Sequence, residues 1–432
     1  MKSIILAATL VVACGFSSCS DNDREEFPDG VTYVKMIPKQ VPVRLTDEQK
    51  DYVKANNEFA FNLFRQTNGK KESRIISPLG VSCMLGMLND GADGGTATEI
   101  QDAMGMQNSD KASVNNYFSN LYANLPKVDP NVELNIANAL FVDKSIKILS
   151  SFVKDMTTSY GAVVQQLDFS DPSAISAINK WCEKQTKGEV NNILDETSND
   201  AFAYLLNAVF FKASWTDKFN SEDTRDETFT RENGTTVSLP MMNRQAKDLY
   251  TKAPNYSAIC LPFSSGAFNM YVLLPDEGVS VDDVVSSLSA QGWEKQKEKM
   301  SNIVEDVYVN EDGQAYTTEA GRYIYIKIPR FTAVFNTDMT IPLQNMGINK
   351  AFTENAEFPF ISDQKLPLAA IRQQTRIVVD EEGTKTAAVA ASDIVTEAFT
   401  APLTFYANSP FLYLIQENTS GIILFAGTYM GD

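Results

Sequence analysis

Few residues of this chain could carry out catalysis or ligate a metal ion. The 432 residues include five cysteines and no histidine. This excludes nucleophile systems of the Ser-His-Asp and Cys-His types and zinc sites that use histidine, because each of them requires an imidazole. Carboxylates are abundant, as at Asp380-Glu381-Glu382, but nothing in the sequence indicates a pair of them on either side of a pocket, as a glycosidase would need. The sequence predicts a protein that is not an enzyme, needs no cofactor and holds no metal.

Charge and composition exclude another class of function. The chain has 37 Lys and Arg against 55 Asp and Glu, a formal net charge of −18, and no basic block stands out. A surface that neutralises phosphates is therefore not expected, and nucleic acid is not a predicted partner. A hydrophobic content of 44% is enough for a large core. Three widely spaced cysteines, Cys83, Cys182 and Cys260, are expected to be buried thiols.

The first residues predict an exported lipoprotein. Lys2 precedes an apolar stretch, Ile4 to Val12, which is too short to span a bilayer and has the length of a signal-peptide core. Small residues then lead to Cys19 and an acidic run, an arrangement that resembles a bacterial lipoprotein signal. We expect residues 1–18 to be removed and Cys19 to carry a lipid, which predicts an exported lipoprotein of the outer membrane or cell surface, in the extracellular space. Cys14 is the alternative anchor, and an ordinary secretory peptide cut nearby is the alternative to lipidation.

The rest of the chain predicts one α+β domain behind a tether. Residues 19–45 contain prolines and acidic residues without periodicity, whereas residues 46–432 show no further linker. Thr46 to Gln49 have capping-box spacing, and Ser77-Pro78 is a typical helix start. Segments with strand composition then dominate: Leu134 to Val142, Ala201 to Lys212, Met270 to Leu274, Tyr323 to Ile328, Leu368 to Val379, Phe411 to Ile415 and Ile422 to Ala426. Helices interrupt them at Pro172 to Thr186, Val281 to Ser289 and Thr337 to Met346.

The segment from Glu381 to Ser392 has a composition that suits two conformations. It follows a clear strand, and small residues then replace large ones. At a period of two, one face carries no charge, while the other carries Lys385 and Asp393; the uncharged face is Thr384, Thr386, Ala388, Ala390, Ser392 and Ile394. Such a register fits a segment that is an exposed loop in one state and a central strand in another. A passive linker would be richer in Gly, Ser or Pro.

Several separated motifs resemble those of the serpin family, in the family's order, over residues 46–432. They are Asn57 to Phe64, Ile76 to Ser82 with Gly91 and Thr98 to Ile100, Leu134 to Phe141, Asn207 to Trp215, Pro329 to Phe331, Asp380 to Thr384 and Ser409 to Phe411. The resemblance implies a fold of three β-sheets and about nine helices with an exposed reactive loop at about residues 383–402. It also implies a protease inhibitor. A serine or cysteine protease becomes esterified to the loop, which then inserts into the large sheet.

The resemblance assigns roles to individual residues. The hinge is Glu381, Glu382, Gly383, Thr384, Lys385, Thr386, Ala387 and Ala388. The region where the sheet opens is Ser77, Pro78, Asn207, Trp215 and Gln373. Two features depart from the family pattern: Thr386 and Val389 are bulkier than the usual small residues, and Gln373 stands where many members have a histidine.

The position of the cleaved bond stays open. Counting forward from Glu381 gives the bond between Glu397 and Ala398, whereas counting backward from Ser409-Pro410-Phe411 gives Phe399-Thr400. Val395 and Thr396 would suit an elastase-like protease, Glu397 a glutamate-specific one and Phe399 a chymotrypsin-like one. We expect a monomer that meets a membrane only through its lipid. A non-inhibitory serpin that serves as a binding or scaffold protein on the cell surface is the alternative.

Overall fold

The computed structural model describes residues 40–67, 71–188, 192–198, 201–309, 315–321, 323–365, 367–381 and 403–432, with the backbone alone for 303–309 and 315–321. These residues belong to one compact unit, Pro38–Asp432. Several predicted segments lie outside the described residues. They are the signal peptide, both candidate anchor cysteines, the tether up to residue 39, the hinge residue Glu382 and the loop at residues 383–402.

Polar side chains cap many of the nine α-helices within the described residues. Thr46 and Gln49 exchange two hydrogen bonds of 3.2 Å, each side chain accepting from the other's backbone N–H, which confirms the predicted capping box. Ser77 accepts from the N–H of Gly80 at 3.2 Å, and Pro78 is the first helical residue, as predicted. The helices are α1 (Asp47–Gln66), α2 (Pro78–Gly91), α3 (Gly94–Met104), α4 (Lys111–Asn124), α5 (Ser150–Tyr160), α6 (Ser173–Gln185), α7 (Val281–Ser287), α8 (Ala290–Glu298) and α9 (Thr340–Asn345).

Seventeen β-strands lie within the described residues. They are β1 (Arg74–Ile76), β2 (Glu133–Asp143), β3 (Val163–Leu167), β4 (Ala203–Lys212), β5 (Arg225–Thr230), β6 (Thr236–Ala246), β7 (Leu249–Lys252), β8 (Tyr256–Phe263), β9 (Phe268–Pro275), β10 (Ile303–Val309), β11 (Ala315–Gly321), β12 (Ile324–Pro329), β13 (Phe331–Asp338), β14 (Leu368–Val379), β15 (Leu403–Tyr406), β16 (Phe411–Glu417) and β17 (Ile423–Tyr429). The predicted strand Leu368 to Val379 is confirmed as β14. The predicted helix Thr337 to Met346 is wrong at its start, because Thr337 belongs to β13 and pairs with Gln373.

The strands form three large sheets and one ribbon. The five-stranded sheet has the order β13-β14-β4-β2-β3, the four-stranded sheet β15-β12-β6-β5 and the six-stranded sheet β1-β17-β16-β9-β8-β7. Strands β10 and β11 pair only with each other in the described part of the chain. Three sheets and nine helices confirm the predicted α+β architecture.

Alternate side chains of the five-stranded sheet enter two different cores. Leu205 and Val209 of β4 belong to the main core, which also contains the buried side chains of α2. Leu206 and Ala208, on the opposite face, pack in a smaller cluster with residues of α6 such as Ile178. Since the side-chain period of a strand is two, Asn207 points with Leu205 and Val209 towards the main core. The sheet therefore places a polar side chain in the middle of an apolar layer.

Candidate functional site

Strands β4 and β14 form a parallel pair at the centre of the five-stranded sheet. The register runs from Leu368 opposite Ala203 to Ile377 opposite Phe211, with one irregularity near the beginning of β14. The outer neighbours of the pair, β2 and β13, are both antiparallel to it. We call the β4–β14 junction the seam. Because the two strands are parallel, their C-terminal ends, Lys212 and Val379, lie at the same end of the sheet.

A row of three buried amides crosses the seam. Asn138, Asn207 and Gln373 occupy matching register positions on β2, β4 and β14, and none is more than 2% exposed. The amide nitrogen of Gln373 donates to Oδ1 of Asn207 at 2.8 Å, and the amide nitrogen of Asn207 donates to Oδ1 of Asn138 at 2.8 Å. We call these three residues the amide row.

The amide row is fastened to the first turn of α2. The side-chain oxygen of Gln373 accepts from the backbone N–H of Ser77 at 2.8 Å, and its amide nitrogen donates to the carbonyl of Ser77 at 2.8 Å. Gln373 therefore uses its acceptor and both donor hydrogens at once, which is the condition for burying an amide at little cost. The neutral amide of Gln373 thus makes these hydrogen bonds at the position where many serpins have a histidine.

Gly80 allows α2 to approach the amide row closely. A Cβ atom at this position would lie 2.3 Å from Oδ1 of Asn207 and 2.9 Å from Nε2 of Gln373. Both atoms take part in buried hydrogen bonds, so neither can move without breaking one. Glycine at position 80 is therefore a packing requirement of the seam.

Trp215 lies at the end of the sheet where both strands of the seam, β4 and β14, terminate. Its indole Nε1–H donates to the carbonyl of Asp380 at 2.7 Å. The ring stacks on Phe263, with centroids 4.4 Å apart and an interplanar angle of 13°, and the residue is 3% exposed. This contact fixes the chain immediately after β14, where the predicted hinge begins.

Glu381 is the one predicted hinge residue within the described part of the chain. The Thr224 hydroxyl donates to Oε1 of Glu381 at 2.7 Å, and Nη1 of Arg330 lies 3.3 Å from the same oxygen. Desolvation by itself raises the pKa of this carboxyl, but the bond from Thr224 and the charge of Arg330 outweigh it, so the pKa of Glu381 lies below its ordinary value. The carboxylate thus anchors the last described residue before the loop.

The structure brings the predicted sheet-opening residues together in two groups. Ser77, Asn207 and Gln373 meet at the seam with Pro78 at the start of α2, while Trp215 lies with Glu381 at the edge of the sheet. The remaining predicted hinge residues, Glu382 to Ala388, and the candidate bond residues lie outside the described residues; the latter are Val395, Thr396, Glu397, Ala398, Phe399 and Thr400.

Four contributors were missed as site residues: Asn138, Gly80, Thr224 and Arg330. A polar residue at an inward position of an otherwise apolar strand marks Asn138, and this signal was available in the sequence. Thr224 and Arg330 contact Glu381 from 157 and 51 residues away, and no local pattern marks such contacts.

The described residues provide neither a reactive thiol nor a metal site. Cys83, Cys182 and Cys260 are buried free thiols, and desolvation raises the pKa of Cys182 and Cys260 to about 12. Among these residues, no group of three or more Cys, Asp or Glu side chains could hold a metal ion. In the same part of the chain, no helix has the length and apolarity needed to cross a membrane.

Comparison with known proteins decides the family. The family model described as Serpin (serine protease inhibitor) matches residues 54–431. The chain belongs to the serpin family. Plasminogen activator inhibitor 1 of Sus scrofa is 28% identical over 386 residues, which are 86% of this chain and 90% of the relative. Thyroxine-binding globulin of Homo sapiens is 31% identical over 386 residues, which are 86% of this serpin and 87% of the relative.

The solved structures place this serpin in the same fold. The native state of a thermophilic serpin, tengpin, matches with a TM-score of 0.78 and 25% identity, covering 90% of this chain and 96% of the other. Together with the family model, this match confirms the predicted serpin fold. Serpins are mostly protease inhibitors, so membership supports the expectation of a protein that is not a catalytic enzyme. The relatives named here include an inhibitor and a binding globulin.

Proposed function

We propose that this serpin inhibits serine or cysteine endopeptidases by trapping them as covalent acyl-enzymes. The observation that carries the proposal is the seam, a closed parallel pair whose edge holds the start of the predicted loop. A segment that turned back after Glu381 and entered the seam would run antiparallel to both β4 and β14. One parallel pair would become two antiparallel pairs, which are slightly more stable per residue.

The composition of the loop supports insertion into the seam. The uncharged face that begins at Thr384 and Thr386 would point into the core, and Lys385 would point away from it. About fifteen inserted residues, at about 3.3 Å each, would move an attached protease about 50 Å. A whole additional ladder of hydrogen bonds, each of about 0.5–1.5 kcal/mol net, would release on the order of 10 kcal/mol. That energy is comparable to the stability of a domain, which is enough to distort an attached active site.

The chemistry requires no catalytic residue from the serpin. The nucleophilic oxygen or sulfur of the protease attacks the carbonyl carbon of the reactive bond, and the amine of the following residue leaves with a proton supplied by the protease. An ester or thioester then joins the two proteins, and insertion distorts the protease before water can hydrolyse that bond. The absence of histidine from the serpin sequence is compatible with this mechanism, because the protease supplies all the catalytic groups.

The reactive bond sets the class of protease. We propose cleavage between Glu397 and Ala398 by a glutamate-specific protease, with Phe399-Thr400 as the alternative bond for a chymotrypsin-like protease. Cleavage after Val395 or Thr396 would favour an elastase-like one. All of these bonds fall within the loop that the serpin resemblance implies, at about residues 383–402, and a single loop can offer several of them to different proteases.

A covalent-complex assay tests the proposal. The mature protein is incubated with elastase-like, chymotrypsin-like and glutamate-specific proteases, and the products are separated on a denaturing gel. We expect a band at the summed mass of both proteins with at least one protease, and mass spectrometry of the released C-terminal fragment identifies the bond. A protease with its catalytic serine blocked is the control. If every protease stays active and only cleaved serpin appears, the inhibitory proposal fails for this panel.

A non-inhibitory binding or scaffold role is the second candidate, because thyroxine-binding globulin and corticosteroid-binding globulin are among the relatives. A loop that never inserts has no need for an uncharged face at a period of two. The same gel separates the two candidates, since a non-inhibitory serpin is cleaved without forming the covalent band.

We also propose that the protein is a bacterial lipoprotein, anchored through Cys19 at the outer membrane or cell surface. The apolar stretch and the acidic run that flank this cysteine support the proposal. Expression in a bacterial host with a labelled fatty acid tests it. We expect the label to be lost in Cys19→Ala and kept in Cys14→Ala; the reverse result moves the anchor to Cys14, and no label in the wild type contradicts lipidation.

A further inference from the structure

Three exposed tyrosines lie together on the four-stranded sheet. Tyr325 lies in β12 and Tyr323 directly precedes that strand; they are 41% and 43% exposed and flank the buried Ile324. Tyr406 of β15 is 38% exposed and lies opposite Lys327 of β12, two positions along from Tyr325. Single exposed aromatic residues are ordinary, whereas a cluster on two neighbouring strands is typical of a contact surface.

Two lysines lie close to rings of this cluster. Nζ of Lys247 lies 4.8 Å from the ring centroid of Tyr323, and Nζ of Lys327 lies 5.1 Å from that of Tyr406. Lys327 is also paired with Glu227 at 2.6 Å, while Lys247 is exposed. The five residues Tyr323, Tyr325, Tyr406, Lys247 and Lys327 form what we call the tyrosine face. It combines rigid rings, hydroxyl groups and the exposed positive charge of Lys247, since Glu227 neutralises Lys327.

The tyrosine face lies close in sequence to the C-terminal end of the predicted reactive loop. Strand β15 begins at Leu403, immediately after the predicted loop, and pairs in parallel with β12. The candidate bonds lie three to seven residues before Leu403, a span of at most about 25 Å when fully extended. A protease domain of about 230 residues has a radius of gyration of about 17 Å. A protease docked on the loop is therefore large enough to reach β15 and β12.

We propose that the tyrosine face is a second contact site for the protease docked on the reactive loop. It binds the rim of the substrate cleft through tyrosine rings and hydroxyl groups, and Lys247 favours proteases with acidic groups there. Tyrosine is among the side chains that most often dominate binding at such surfaces, because its ring buries a large area at low entropic cost. This inference rests on the proposed function, since it requires that a protease docks on the loop.

Equilibrium binding tests the proposal without covalent trapping. The probes are elastase-like, chymotrypsin-like and glutamate-specific proteases whose catalytic serine is replaced by alanine. The proteins compared are the wild type, the double variant Tyr325→Ala/Tyr406→Ala and the control Tyr122→Ala. Tyr122 is 39% exposed, closely matching Tyr406, but lies on α4. A synthetic peptide of residues 383–402 measures the affinity that the loop alone provides.

We expect the double variant to bind at least one protease about fivefold to tenfold more weakly than the wild type, approaching the affinity of the peptide. Tyr122→Ala should bind like the wild type, and Tyr325→Phe/Tyr406→Phe should recover most of the loss. Dissociation constants of the double variant within twofold of the wild type for all three proteases would overturn the proposal, as would a wild type that binds none of them. The gel assay judges the inhibitory function separately, because a serpin that traps proteases without using the tyrosine face still forms the covalent band.

Discussion

The side chains of Gln373 and Asn207 are joined by a 2.8 Å hydrogen bond across the seam of the five-stranded sheet. Adjacent strands lie about 4.8 Å apart, so a strand inserted between β4 and β14 would roughly double the separation of these residues. The bond can exist only while the seam is closed. In the proposed mechanism it would therefore stabilise the uninserted state and contribute to the barrier against insertion.

Removing the Gln373 amide should weaken the closed seam. Gln373→Ala leaves buried groups of Ser77 and Asn207 without partners, and we expect the free energy of unfolding of the intact protein to fall by about 3 kcal/mol. The loop-cleaved protein should lose less, because insertion breaks the bond to Asn207 in any case. Thermal unfolding of both forms measures the difference. Gln374→Ala, one residue along and facing the other side of the sheet, is the matched control; equal losses for both variants would contradict the role of Gln373.

A methyl group at Gly80 should force α2 away from the amide row. The added Cβ would lie 2.3 Å from Oδ1 of Asn207. We expect Gly80→Ala to reduce the free energy of unfolding by about 1–3 kcal/mol. Gly292→Ala in α8, where the nearest atom would be the Ser289 hydroxyl at 3.0 Å, serves as the helical control and should be close to neutral. Chemical denaturation measures both variants, and a Gly80→Ala protein as stable as the wild type would show that α2 does not press on the seam.

The carboxylate of Glu381 should make the free energy of unfolding depend on pH. Its pKa is lowered in the folded protein, so its ionised form adds stability above its unfolded-state pKa, near 4.5. That contribution disappears as the pH falls through the lower folded-state pKa. We expect Glu381→Gln to melt below the wild type at about pH 7 and the difference to shrink towards about pH 3. The exposed Glu222→Gln is the control, and a difference for Glu381→Gln that grows on acidification would contradict the sign.

A charge on the predicted inward face of the loop should block insertion. Thr384→Arg would bury a guanidinium group in the sheet, at a cost that exceeds several hydrogen bonds. We expect this variant to be cleaved as a substrate, so that the number of serpin molecules consumed per trapped protease rises at least about tenfold. Lys385→Arg keeps a charge on the outward face and should behave like the wild type. Equal stoichiometry for Thr384→Arg and the wild type would show that the face assignment is wrong.

Local chemistry made parts of the fold predictable. The capping box at Thr46 and the Ser77-Pro78 helix start depend only on neighbouring residues, and both were confirmed. The boundary at Thr337 was not predictable in the same way, since that residue is in a strand because it pairs with Gln373. Strands β10 and β11 were not predicted, and neither were strands of the large sheets such as β6 and β8.

Contacts between distant residues also limit what the sequence predicts of the candidate site. Ser77, Asn207 and Gln373 were identified through a family resemblance, and the hydrogen bonds that join them connect positions up to 296 residues apart. Spacing along the chain cannot reveal which atoms meet over such separations. The need for glycine at position 80 likewise appears only when α2 is placed against Asn207.

The central claim is that the intact protein stores free energy which cleavage of the loop releases. Its most direct test is to compare the thermal unfolding of intact protein with that of protein cut once in the loop. A domain of about 390 residues unfolds with an entropy of about 0.8 kcal/mol per degree, so on the order of 10 kcal/mol of extra stability should raise Tm by at least about 10 °C. A Tm that stays the same or falls after the cut would contradict the account.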